Sequence, residues 1–200
     1  MPRYRTRSWR DFDPRRTEPR PLLATNLRIL GLDPGSRRTG FGVIECRGPD
    51  YAHVAHGCIA VAGLEIALRL REIFESLQAL IAQHAPGEIA VERVFVNRNV
   101  DSALKLGQAR GAALCAIPRG VPVFEYAPRA VKLALVGSGA AEKAQVAHMI
   151  RTLLQLEEKI SPDAADALAI AVCHAHTRRL HQLTNAQSSV TGQHARGPLR

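Results

Sequence analysis

The chain has 200 residues and a formal net charge of +9, with 46% hydrophobic and 22% charged residues. That suffices for one domain with a proper core, falls short for two, and is globular in composition. The positive balance favours a polyanionic partner such as nucleic acid, while no apolar run approaches bilayer-spanning length and no apolar signal core follows the N-terminal arginines.

Residues 1–26 carry seven arginines against Asp11, Asp13 and Glu18, with prolines at 2, 14, 19 and 21. This stretch is expected to be a basic, disordered extension. The folded core is expected over 27–180. Leu27, Ile29, Leu30 and Leu32 form an apolar run that carries Asp33 to the turn Pro34-Gly35-Ser36. Gly40 to Ile44 follows closely enough to pair with it as a hairpin. Tyr51 to Val61 predicts a third strand, loosened by His56-Gly57. Leu64 to His84 predicts an amphipathic helix, with Leu64, Ala67, Leu68, Ile73, Leu77, Leu80 and Ile81 recurring at helical spacing. Glu88 to Glu92 is a short strand that ends on a carboxylate, and 93–99 form a loop. A helix over 101–117, a strand over 121–126 and a helix begun by Pro128 come next. Gly137-Ser138-Gly139 breaks the chain before a helix over 141–156. Ser161 is a good cap and Pro162 a good first residue for a final helix that runs to about Leu180. Residues 181–200, rich in Gln, Ser, Thr and Gly, are expected to be a flexible tail. Cys46, Cys58, Cys115 and Cys173 contain no Cys-x-x-Cys and are expected to be reduced, mostly buried thiols. Cys173-His174-x-His176 is read as a helix end rather than a zinc site.

Three strands, a helix, then alternating strands and helices predict an α/β fold, a mixed five-stranded sheet with helices on both faces. A right-handed crossover sets the strand ending in Glu92 beside the strand ending in Asp33. Both carboxylates then reach the C-terminal edge, where open α/β sheets place their sites. Asp163 and Asp166 share a face in the first turn of the last helix. Acids there are commonly helix caps. The neighbouring Ala164-Ala165 and Ala167 to Val172 mark a buried helix, however, and buried acids need partners. Two carboxylates about 4 Å apart repel by roughly 4 kcal/mol at an effective dielectric near 20. If Asp33, Glu92, Asp163 and Asp166 converge, a hard divalent cation resolves the conflict, and Mg2+ or Mn2+ suits such oxygen donors. Metal-assisted hydrolysis of nucleic acid joins the acidic centre to the basic chain.

Ile29 to Ser36, Val91 to Phe95, Asp101 to Gly111, Val123 to Tyr126 and Asp163 to Ala169 together resemble the bacterial RuvC Holliday junction resolvases. The resemblance spans roughly Leu27 to His176. It implies a ribonuclease H-like fold and a homodimer that nicks two opposed strands of a four-way DNA junction, leaving 5′-phosphate ends. It implies Mg2+, two ions per subunit, with Mn2+ as a substitute. It places catalytic and metal-binding roles on Asp33, Glu92, Asp163 and Asp166. It also implies DNA contacts at Lys132 and Lys143, base stacking by Phe95, and a dimer helix containing Gly107 and Gly111. Arg98 and Lys105 are candidate phosphate contacts, as are Arg37 and Arg38. The resemblance further implies a branch-migration helicase of the RuvA and RuvB type as partner and a cytoplasmic, nucleoid-associated location. Three other readings stay open: a nuclease for RNA–DNA hybrids, a binding protein whose acids are caps, and an actin-like ATPase or sugar kinase, whose domains also begin with Asp-x-Gly-Ser in a hairpin.

Overall fold

The structure is a computed structural model that describes residues 26–93 and 99–191, with side chains described as far as 184. The strands are β1 (Leu27–Pro34), β2 (Arg38–Arg47), β3 (Asp50–Ala60), β4 (Glu88–Glu92) and β5 (Val123–Tyr126). The helices are α1 (Ile66–His84), α2 (Val100–Cys115), α3 (Pro128–Val136), α4 (Lys143–Leu153) and α5 (Pro162–Thr191). The sheet order is β3-β2-β1-β4-β5. β1, β2 and β3 are antiparallel neighbours, and β4 and β5 add in parallel to β1. The expected mixed sheet, covered on both faces, is therefore present.

Side-chain alternation sorts β1 between two cores. Leu30 and Leu32 pack with Ile73 and Leu77 of α1 and Ala109 and Ala113 of α2. Ile29 packs on the opposite face, with Leu168 and Ile170 of α5, Val131 of α3 and Ile150 of α4. The face toward α5 is stripped of side chains along one line. A Cβ on Gly31 would stand 2.0 Å from the Ala167 carbonyl oxygen, and one on Gly40 would stand 2.1 Å from that of Asp163. Helix backbone thus lies directly on strand backbone, an approach that the glycines of the strands allow. This seating fixes the height of α5 against β1.

Some sequence expectations need correction. The C-terminal segment is not a tail from 181, because α5 continues to Thr191. No Gly or Pro interrupts 163–191, and Gly192 follows. The Cys173-His174-x-His176 cluster therefore lies in mid-helix. Leu64 and Leu68 are exposed, since α1 begins at Ile66 and buries only its second half. The four thiols are free, but only Cys173 is buried, and Cys115 is exposed. No helix among the described residues is long and apolar enough to cross a membrane.

Candidate active site

Strand parity brings the first two carboxylates together. β1 and β4 pair in parallel as far as Leu32 and Val91, so Asp33 and Glu92 are the next residues on adjacent strands. Ile29 and Ala90 both belong to the core under α5. Counting in twos from them puts Asp33 and Glu92 on that same face. The third carboxylate descends from α5. Ser161 caps its N-terminus, its Oγ accepting the Ala164 N–H at 3.3 Å. Because Ala167 is seated on Gly31, Asp166 hangs over the end of β1.

Asp33, Glu92 and Asp166 line one cleft of about 290 Å³, with Lys132 of α3 and Lys143 at the start of α4. Burial, reinforced by Glu92 and then Asp166, pushes the Asp33 carboxyl from 3.8 up to about 7. Burial and then Asp166 also raise Glu92, against the pull of Lys143, a hydrogen bond with Asp33 and Lys132. The Lys143 Nζ donates to Asp166 Oδ2 at 2.7 Å, and that bond raises the ammonium's pKa. The cleft thus holds more negative charge than its burial tolerates, partly offset by Lys143 and Lys132. Such a concentration of perturbed groups marks functional sites.

The fourth expected member lies at the edge of the cleft, close enough for its charge to add to the rise at Asp33. Asp163 does not line the cleft but a neighbouring shelf with Gly35, Ser36, Arg37, Arg38 and Ala62. Its Oδ2 lies 3.7 Å from an Arg38 nitrogen and 3.8 Å from Cys58 Sγ. Asp33, Glu92 and Asp166 thus share the cleft, and Asp163 stands at its border. The Arg38 charge and the descent of α5 beside Gly40 hold Asp163 on the β2 side. Sequence reasoning missed Cys58 and the Arg38–Asp163 pair because both depend on β2–β3 register.

The expected DNA contacts divide similarly. Lys132 and Lys143 face the cleft. Lys105 lies on the exposed side of α2, paired with Asp101 at 2.6 Å, one turn away. Phe95 and Arg98 lie outside the described residues. Among the described residues, Gly107 and Gly111, on α2, meet no atom within 4 Å of an added Cβ, so they do not pack on the sheet. Sequence reasoning also missed a buried network behind the site. His174 Nε2 bonds Glu88 Oε2 at 2.8 Å and its Nδ1 bonds the Tyr126 hydroxyl at 2.7 Å. Tyr126 pairs with Glu92, and its carbonyl accepts the Arg93 N–H at 2.7 Å. The network ties α5 to β4, whose last residue Glu92 enters the cleft, and to its neighbour β5. Its signal was present, for His174 continues the helical stripe of Ala167 and Ala171.

Hard oxygen donors that repel one another fit a divalent cation by their chemistry. As the side chains stand, with Lys143 on Asp166, no three His, Cys, Asp or Glu among the described residues are gathered tightly enough to enclose one. Acidic oxygens flanked by lysines suit attack on a phosphodiester, and the sheet order is that of ribonuclease H-like enzymes. The class is accordingly a nuclease of that fold.

The family model for "Crossover junction endodeoxyribonuclease RuvC" matches residues 29–174. A protein of that name from Shewanella amazonensis is 50% identical over 163 residues, 81% of this chain and 94% of its own. Another from Alkalilimnicola ehrlichii is 55% identical over 150 residues, 74% of this chain and 91% of its own. A solved structure of Thermus thermophilus RuvC with a Holliday junction substrate matches with TM-score 0.73 and 34% identity, covering 78% of this chain and 96% of that one. The chain belongs to the RuvC family of crossover junction endodeoxyribonucleases, which are metal-dependent.

Proposed function

We propose that this chain resolves four-way DNA junctions by paired nicks, with Asp33, Glu92 and Asp166 as the resting ligand set for Mg2+ and Asp163 completing it when DNA is bound. The meeting of three mutually repelling carboxylates under Lys132 and Lys143 is the observation that carries this reading. Asp33, Glu92, Asp166 and Asp163 would hold two hard ions, Mg2+ or Mn2+, which would supply an activated water and neutralise the leaving 3′ oxygen. The chain's own groups perform the remaining tasks. Lys143 is 77% exposed, so it can leave Asp166 to meet a phosphate oxygen. Lys132 approaches the same strand from α3. Arg38 gives up Asp163 as the scissile phosphate arrives. Phe95 and Arg98 are assigned to base stacking and backbone contact through the family resemblance. A phosphate contact by Lys105 has to displace Asp101.

The enzyme works as a homodimer, one site per arm pair, so that its two-fold axis matches the junction. The face of α2 supports this: Val100 is 79% and Leu104 61% exposed, on the same side as Gly107 and Gly111. The partner machinery is a branch-migration helicase of the RuvA and RuvB type, in the cytoplasm at the nucleoid.

The test compares four-way, three-way and linear duplex DNA, with and without Mg2+. Symmetric cutting of the four-way substrate alone, dependent on Mg2+ and leaving ends that ligase seals, is expected. Equal cutting of linear duplex overturns junction selectivity.

A further inference from the structure

The edge strand β3 carries two histidines that ordinary strand geometry would separate. His53 and His56 are three residues apart, an odd spacing that puts side chains on opposite faces of a regular strand. The β2–β3 register breaks between Val43 and Ile44: Val43 pairs with Ala55, whereas Ile44 pairs with His53. Val54 is the extra residue of a β-bulge, and the bulge returns both imidazoles to one face. That face is the one toward α5, since Ile44 belongs to the α5 core and Gly42, the partner of His56, lies against Leu168. There His53 Nε2 and His56 Nδ1 approach to 2.8 Å, with ring centroids 4.9 Å apart.

From this juxtaposition we propose that His53 and His56 form a two-histidine clip for a borderline divalent transition metal such as Zn2+, separate from the carboxylate cleft. Two imidazole nitrogens aimed at each other share one hydrogen at a time, and a metal ion can take its place with a small opening of the rings. Imidazole nitrogen suits Zn2+, Cu2+ and Ni2+, whereas Mg2+ and Mn2+ prefer oxygen. The clip and the cleft are thus sorted by donor type. Both histidines are only half-buried on an edge strand, so an ion there keeps water in its remaining positions and exchanges freely. Burial, and then His56, hold His53 below its ordinary value, which keeps a lone pair on that ring at neutral pH.

The full chain is titrated with Zn2+ in excess Mg2+, which fills the carboxylates, while histidine ring signals are followed by NMR and heat by calorimetry. One ion per chain is expected, with the His53 and His56 rings moving together at substoichiometric Zn2+. Second-shell changes alone weaken metal sites by roughly 10–100-fold, so His53→Gln and His56→Gln are each expected to weaken this one by at least about tenfold. Neither residue faces the cleft, so Mg2+-dependent junction cutting is expected to persist in both variants. Zn2+ that shifts other histidines first, or binds unchanged in both variants, overturns the clip. Because the wild-type ring shifts are read directly, a variant that folds poorly does not remove the test.

Discussion

Asp33→Asn, studied in chelator, turns the electrostatic conflict in the cleft into a stability measurement. In the folded chain the Asp33 carboxyl is held at about 7, against 3.8 for an ordinary aspartate, by burial and then by Glu92 and Asp166. Below about pH 4 both the folded and unfolded forms carry the proton and the site costs nothing. As pH rises the unfolded chain releases its proton first, so the folded form loses stability, and the penalty is complete above about pH 7. The displacement of roughly three pH units corresponds to at most about 4 kcal/mol. Asparagine carries no charge at any of these pH values. Urea unfolding at pH 5, 6.5 and 8 in EDTA is therefore expected to show the variant gaining on the wild type as pH rises. The gain reaches a few kcal/mol at pH 8, and Mg2+ is expected to erase it by stabilising only the wild type. A variant less stable than wild type at pH 8, or a difference that ignores pH, refutes the reasoning.

Four further outcomes follow from particular contacts. Gly31→Ala places a Cβ 2.0 Å from the Ala167 carbonyl, so it is expected to cost about 1–3 kcal/mol in unfolding assays and to cut junctions more slowly because α5 carries Asp166. Normal stability and rate would mean that α5 is not seated on β1. Lys143→Ala removes an exposed partner of Asp166, so in Mg2+ Tm is expected to hold while single-turnover cutting falls by about 10²–10³ and junction binding persists. Arg38→Ala releases Asp163 from a mostly exposed pair; stability is expected to stay within about 0.5 kcal/mol, while the Mg2+ concentration for half-maximal cutting drops. An unchanged Mg2+ requirement would show that Arg38 does not compete for that carboxylate. Leu104→Glu puts charge on the bare face of α2, and sedimentation is expected to report monomers; a persistent dimer would place the interface elsewhere.

Much of this was legible because parity and punctuation are local. The two strand ends and the right-handed crossover put Asp33 and Glu92 side by side at one sheet edge before any contact was known. Ser161-Pro162 announced α5, and the alanines after it announced a buried helix. The length of α5 was also written in the chain, since nothing between 163 and 191 stops a helix. Gln, Ser and Thr suggested a tail by composition, yet a packed first half lets such a helix propagate. What was not legible depends on pieces distant in sequence. Asp163 turns to Arg38 and Cys58 because β2 and β3 pass beneath the first turn of α5. The two histidines of β3 meet only because a bulge slips the register by one residue. Gly107 and Gly111 signal close approach in sequence, but no element among the described residues arrives to use it.

The central claim is that Asp33, Glu92 and Asp166 hold the divalent ions that this nuclease family requires. Mn2+ titration followed by electron paramagnetic resonance, on the wild type and on Asp33→Asn, Glu92→Gln and Asp166→Asn, tests it most directly. Each substitution is expected to weaken Mn2+ binding severely while four-way junction binding survives. Wild-type Mn2+ affinity in all three variants would contradict it.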